Sequence, residues 1–248
     1  MKRIESPKNP FAKQLKKLHT KKEREKSGTF LIEGWHLVEE AIVSKTGIVQ
    51  LVISEDESFP AHWDVSGMEI IYASPEVMKS ISDMESPQGV AAVCTIEEKQ
   101  PVQFKKLLFI DGVQDPGNVG TLIRTADAAG LDGVILGKGS ADLYNSKVLR
   151  STQGSIFHLP VVRADLQDWI AKVRSNGMTI YGSSLKDASN YREMTAERPY
   201  ALIVGNEGSG VTPELLAQTD QNLYIPISGK AESLNVTVAA GILLFHLK

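Results

Sequence analysis

Leu202-Ile-Val-Gly-Asn-Glu-Gly-Ser-Gly-Val211 and Ile225-Pro-Ile-Ser-Gly-Lys-Ala-Glu-Ser-Leu-Asn-Val-Thr-Val238 share one pattern. In each, an apolar run stops abruptly at small and polar residues. A buried parallel strand delivers its C-terminal end into a ligand crevice in this way. A third segment of the same kind lies upstream: Leu107-Leu-Phe-Ile-Asp111, a loop through Pro116, then Asn118-Val-Gly-Thr-Leu-Ile-Arg-Thr-Ala126. Three strand-end loops in one half of the chain imply one composite site.

Outward from these loops, strand-like and helix-like runs alternate. Strands are predicted at 107–111, 133–136, 158–163, 178–184, 200–205 and 222–227, and helices near 118–129, 145–152, 166–176, 212–219 and 233–247. Six such strands separated by helices predict an α/β fold with a largely parallel six-stranded sheet and helices on both faces. Leu166, Trp169, Ile170 and Val173 fall on one face of their helix, as core-facing residues should. A dinucleotide fold would place Gly-x-Gly-x-x-Gly directly after its first strand. Here Asp111-Gly-Val-Gln-Asp-Pro-Gly-Asn118 follows instead, so that fingerprint is absent.

The first hundred residues have a different character. Short strands are predicted at 30–33, 49–53, 69–72 and 90–94, with helices at 36–43 and 75–81; Ser74 caps the second helix and Pro75 opens it. This reads as a small α/β sandwich. Charge and proline in Glu97-Glu-Lys-Gln-Pro-Val102 then break the pattern. The expected organisation is a first domain at 1–98, a linker at 99–105 and a second domain at 106–248.

Composition bounds the rest. At 248 residues with 42% hydrophobic side chains, a packed core is available and wholesale disorder is excluded. Cys94 is the only cysteine, so no intrachain disulfide forms. No apolar run approaches the ~18–20 residues that a membrane span requires, and no charged-then-apolar leader opens the chain; a cytoplasmic protein is expected. The net charge of −3 conceals an asymmetry, because residues 1–26 carry +7 and the remainder −10. Such segregated basic charge, at Lys13, Lys16, Lys17, Lys21 and Lys22 among others, is a footprint for phosphate or a merely solvated helix. The five histidines show no metal-ligand spacing, and no metal is expected.

The motifs together resemble the SpoU (TrmH-type) branch of the SPOUT methyltransferases. The matching residues are Asn118-x-Gly120-x-x-x-Arg124, Gly205-Asn206-Glu207-Gly208, and Ile225-Pro226-Ile227 with Ser233-Leu234-Asn235. They fall in family order over the C-terminal 140 or so residues. The first domain resembles, more loosely, the ribosomal-protein L30e-like substrate-binding domain that many of these enzymes carry. The resemblance implies an S-adenosylmethionine-dependent enzyme that methylates a ribose 2′-hydroxyl of structured RNA, ribosomal RNA before transfer RNA. It also implies a homodimer, no metal, and a deep trefoil knot that general topology rules would never suggest.

The resemblance assigns roles residue by residue. Backbone at Gly205, Ile225 and Leu234 would hold the adenosyl group, and Ile227 would supply an apolar wall. Arg124 would act at the target ribose, with Glu207 and Asn118 to orient it and Ser233 to meet the ribose. Arginine is a poor base, because its pKa exceeds ~12. Binding the adjacent phosphate and stabilising alkoxide charge suits it better. Asn235 either caps a helix locally or ties Ser233 and the loops together. Two rivals remain: a catalytically silent RNA-binding factor of the same fold, and a relative that methylates a base.

Overall fold

The computed structural model describes residues 2–97, 100–101, 105–195 and 199–247. Of the linker expected at 99–105, positions 99 and 102–104 lie outside the described residues. The chain divides into two compact units. One holds residues 1–97 and 144–157, the other 98–143 and 158–248.

In the first unit the elements run β1 (Lys2–Ile4), α1 (Pro10–Lys17), α2 (Lys21–Ser27), β2 (Thr29–Glu33), α3 (Trp35–Val43), β3 (Ile48–Ser54), β4 (Glu69–Ala73), α4 (Pro75–Ile81) and β5 (Val90–Thr95). Its five strands are ordered β1-β4-β3-β5-β2. Side chains alternate across the sheet as strand geometry requires. Phe30, Ile32, Leu51 and Ile53 join one core with Leu37 and Val38 of α3. Leu31 and Val52 face the other, with Leu15 of α1 and Val77 and Met78 of α4. Ser74 caps α4 by accepting from the Val77 N–H at 3.3 Å, and Pro75 opens that helix. Two short helices, α1 and α2, stand where the sequence was read as one basic segment. Asn9 and Pro10 start α1, and Gly28, in the left-handed region at φ 66°, ends α2.

The second half continues with β6 (Lys106–Asp111), α5 (Pro116–Ala128), β7 (Gly133–Leu136), α6 (Ser146–Thr152), α7 (Ser155–His158), β8 (Val161–Arg163), α8 (Leu166–Ser175), β9 (Thr179–Ser183), β10 (Ser189–Asn190), β11 (Tyr200–Gly205), α9 (Pro213–Leu216), β12 (Gln221–Tyr224) and α10 (Val236–His246). Residues 144–157 depart from a single cut near residue 98. Leu149 and Phe157 enter the same core as Phe30 and Leu37, and the Tyr144 and Phe30 rings lie 4.6 Å apart.

The sheet of the second unit has seven strands in the order β10-β12-β9-β11-β6-β7-β8, not the six expected. The seventh, β10, is two residues long and leaves no periodic trace in the sequence. Every pairing is parallel. Leu107, Phe109, Ala201 and Ile203 pack against α8 through Leu166, Trp169, Ile170 and Val173 on one face. Helices α5 and α10 lie against one another, α5 also against β6 and β7 and α10 against β11. Helix α5 begins two residues earlier than expected. The Asp115 carboxylate caps it by accepting from the Asn118 N–H at 2.9 Å, and Pro116 opens it. The strand expected at 158–163 starts only at Val161, because α7 and Pro160 occupy its first residues.

Candidate active site

Parallel pairing brings the C-terminal ends of β6, β9, β11 and β12 to one edge of the sheet, with Asp111 opposite Gly205 and Leu223 opposite Ser183. The loops after β9, β11 and β12 enclose a cleft of about 1070 Å³. Gly205, Glu207, Ile225 and Ile227 line it, as do Ser233, Leu234 and Asn235. Of the motif residues expected in the site, Asn118 and Arg124 lie outside this lining.

Gly205 is required by space. A Cβ there would sit 2.1 Å from both the Gly210 carbonyl carbon and the Val211 nitrogen. The turn closes on itself through paired bonds between the backbones of Asn206 and Gly210, at 2.9 and 3.0 Å. Gly210 supplies the positive φ of 73° that the closure needs. Asn206 stiffens the same turn by accepting from the Gly208 and Ser209 N–H groups and donating to the Gly112 carbonyl at 2.9 Å.

Glu207 sits at the junction of the loops. Its carboxylate accepts from the N–H groups of Gln114 and Asp115, both at 3.1 Å, and from the Asn118 side-chain amide at 3.0 Å. Burial works to raise its pKa. The Asn118 amide and the backbone N–H groups favour the anion more strongly and hold the group below the ordinary carboxylate range. Asn118 in turn accepts from the Asn235 amide at 3.2 Å, and Asn235 caps α10 by accepting from the Thr237 N–H at 2.8 Å. One chain of side chains thus ties the loops after β6, β11 and β12 together. Asn235 both caps and ties; no bond joins it to Ser233 among the described residues.

Arg124 stands apart. It is exposed on α5, and among the described residues it makes no hydrogen bond or ion pair. Six residues along a helix turn it about 120° from Asn118. Glu207 and Asn118 bind each other, and no bond from either to Arg124 appears among the described residues. One expectation of the sequence changes. Ile225 and Ile227 follow β12, which stops at Tyr224, instead of ending it. Thr212 gives no side-chain cap to the short helix α9; its N–H donates to the Asp111 carboxylate at 2.8 Å.

The sequence reading missed one wall of the cleft, the end of β9 and the loop after it at residues 183–187. It carries the same signal as the others, a strand run through Ile180 and Tyr181 ending in Gly182-Ser-Ser, but in weaker form. In the first unit, Lys13, Lys16, Lys17, Lys21 and Lys22 are all exposed on or beside α1 and α2. Lys21 lies 3.6 Å from Glu25. Arg24 is only 4% exposed and donates to the Leu18 carbonyl at 2.8 Å, so it stands inside the fold. Among the described residues no cluster of His, Cys, Asp and Glu could hold a metal ion, and no helix is long and apolar enough to cross a membrane. Burial pushes the Cys94 thiol up, far from any reactive range.

The family model of the SpoU rRNA methylases matches residues 105–245, the span that builds this cleft. The chain belongs to the SpoU rRNA methylase family. A second model, an MRM3-like substrate-binding domain, matches residues 9–92. Among curated relatives, the Bacillus subtilis 23S rRNA (guanosine(2553)-2′-O)-methyltransferase RlmP is 50% identical over 248 residues, all of both chains. Among solved structures, an AdoMet-bound rRNA methyltransferase from Sinorhizobium meliloti superposes with a TM-score of 0.89 at 32% identity, covering 99% of this chain and 97% of that one. The SpoU methyltransferase AviRb from Streptomyces viridochromogenes in complex with AdoMet gives 0.85 at 26% identity over 97% of each chain.

Proposed function

We propose that this SpoU-family protein is an S-adenosylmethionine-dependent methyltransferase acting on a ribose 2′-hydroxyl of 23S ribosomal RNA, at the guanosine for which the Bacillus subtilis relative is named. The observation that carries the catalytic part is the Glu207–Asn118–Asn235 link, which fixes three loops around a cleft closed by Gly205.

The residues present fit such a cofactor. The turn at Gly205 brings bare backbone to the cleft, and Ile225, Ile227 and Leu234 add an apolar wall beside loop backbone that belongs to no strand or helix. When bound, the cofactor supplies a methyl group already activated on a sulfonium. The protein's work is then to place the 2′-oxygen in line and to stabilise its developing charge. Arg124, exposed and uncommitted, suits a bidentate grip on the adjacent phosphate and the nascent alkoxide. Glu207 and Asn118 act as positioning residues, since the carboxylate is spent on loop contacts. Ser233 is exposed at the cleft, which supports the reading that it meets the ribose.

The exposed lysines of α1 and α2 supply phosphate contacts for docking the RNA. A ribosomal substrate fits a cytoplasmic enzyme. A second copy of the chain covers α10, whose sequence is apolar almost all round although Val238 is 50% and Phe245 53% exposed. Light scattering should give a dimer for the native protein and a monomer for V238E/F245E. A knotted C-terminus belongs to the same reading: after β12 the chain returns to pack α10 on α5 and β11. The deciding experiment maps 2′-O-methyl groups in ribosomal and transfer RNA from a strain lacking the gene. Loss of one 23S ribose methyl, restored by the native gene and not by the Arg124→Ala variant, is expected. Loss from a transfer RNA instead would overturn the ribosomal assignment.

A further inference from the structure

We propose that Lys186 and Asp187 grip the amino-acid end of the cofactor, Lys186 through the carboxylate and Asp187 through the ammonium. This rests on the S-adenosylmethionine reading above and adds a charge-recognition role to the cleft wall after β9.

The cleft has few charges. Among the described residues that line it, Lys186 is the only basic side chain, and Asp187 and Glu207 are the acids. Both oxygens of Glu207 already accept hydrogen bonds from the loops after β6. Lys186 and Asp187 are exposed and form no ion pair among the described residues. They are therefore the charges of the cleft left for a ligand. S-adenosylmethionine needs such a pair. Its adenosine end is neutral, while its far end carries an ammonium and a carboxylate on a single carbon. Two neighbouring side chains of opposite sign match that arrangement.

The pair is also presented from a fixed point. The Ser184 hydroxyl donates to the Lys186 carbonyl at 2.9 Å and accepts from the Lys186 N–H at 3.1 Å, forming a small side-chain-closed turn. The Ser184 N–H is bonded to the Leu223 carbonyl of β12 at 3.1 Å, so the turn is anchored to the sheet. Asp187 takes φ 47°, a left-handed conformation that an aspartate tolerates better than most residues and that turns the chain toward β10.

The test is calorimetric binding, native against variant, of three ligands whose amino-acid ends differ. S-adenosylhomocysteine has both charges, decarboxylated S-adenosylmethionine keeps only the amine, and 5′-methylthioadenosine has neither. In Lys186→Met, affinity for S-adenosylhomocysteine should fall about tenfold, the usual scale of one charge-assisted hydrogen bond. The other two ligands should bind as before. In Asp187→Asn, the two amine-bearing ligands should weaken several-fold and methylthioadenosine should not. Lys186→Arg should retain most of the native affinity. Equal losses for all three ligands in Lys186→Met would mean that the turn had collapsed or that the lysine meets the adenosine, and would overturn the assignment. So would unchanged binding of all three with weakened RNA binding. Native protein that binds none of them would instead remove the cofactor reading itself, and this proposal with it.

Discussion

The Asn206–Glu207 turn and the Arg124 face of α5 flank the same strand ends, yet they are held in opposite ways. In the turn, each side-chain amide and carboxylate has its partner inside the chain: Asn206 to Gly112, Glu207 to Gln114, Asp115 and Asn118, and Asn118 to Asn235. On α5, Arg124 is exposed, and no partner for it appears among the described residues. The difference separates two jobs. Groups whose hydrogen bonds close within the protein build and hold the cleft; a cation left open awaits a ligand outside the chain. Mutations should therefore split into those that lose the cleft and those that keep it while losing chemistry.

The strongest effect belongs to the turn. Gly205→Val would press a side chain into backbone at 2.1 Å, with no flexible atom to give way. Overpacking of that kind costs about 3 kcal/mol or more. For a chain of this size that is a fall in Tm of roughly 6–12 °C. Calorimetry should find no cofactor binding; native-like affinity with an unchanged Tm would break the contrast. The next effect should spare the fold. Arg124→Ala should keep Tm and cofactor affinity near native values while methyl transfer falls about 10²–10³-fold, the usual loss for a group that stabilises developing charge. Arg124→Lys should lose nearly as much, because an ammonium lacks the planar fork. A robustly active lysine variant would reduce the residue to a simple positive charge.

Much of this division was legible in the sequence, and the reasons differ by residue. Leu107–Asp111 and Leu202–Gly205 announce buried parallel strands because they are continuously apolar, and Gly205 announces a close approach because nothing else fits. Ser74 and Pro75 mark a helix start by local chemistry alone. What stayed hidden was non-local. Nothing in the sequence says that Glu207 reaches back 93 residues to Gln114, or that Leu149 and Phe157 complete the core of the first unit. Arg24 reads in the sequence as one of ten basic residues near the N-terminus, and only the structure shows it buried and bonded to the Leu18 carbonyl. Two-residue β10 is shorter than any periodicity can register.

A pH series sharpens the role of Glu207. Its carboxyl is held below the ordinary carboxylate range in the folded protein, so its contribution to stability is fully present above the unfolded pKa of about 4.3. That contribution should fade as pH falls through the lower folded value. Glu207→Gln should destabilise the protein at pH 7, since its amide would face N–H donors, and should lessen the loss of Tm between pH 5 and pH 3 relative to native. A parallel pair of Tm curves would show that the carboxylate is not the group tying the loops.

The smallest effect belongs to the lysines of the first unit, and the same contrast applies within them. Lys13, Lys16, Lys17 and Lys22 are exposed without an ion pair among the described residues, Lys21 has Glu25 at 3.6 Å, and Arg24 is buried. RNA affinity should fall steeply with salt, because each phosphate contact releases counterions. Replacing Lys13, Lys16, Lys17 and Lys22 together by Gln should weaken RNA binding and flatten that dependence by at most about 0.7–0.9 log units per contact removed. Adding Lys21→Gln should change little more, since Glu25 already offsets part of its charge. Arg24→Gln should instead lower Tm, because it removes a hydrogen bond inside the fold. Cofactor affinity should be unchanged in all the lysine variants. Parallel salt lines with equal affinity would mean that α1 and α2 are only solvated helices, and the RNA would then be held by other surfaces of the first unit.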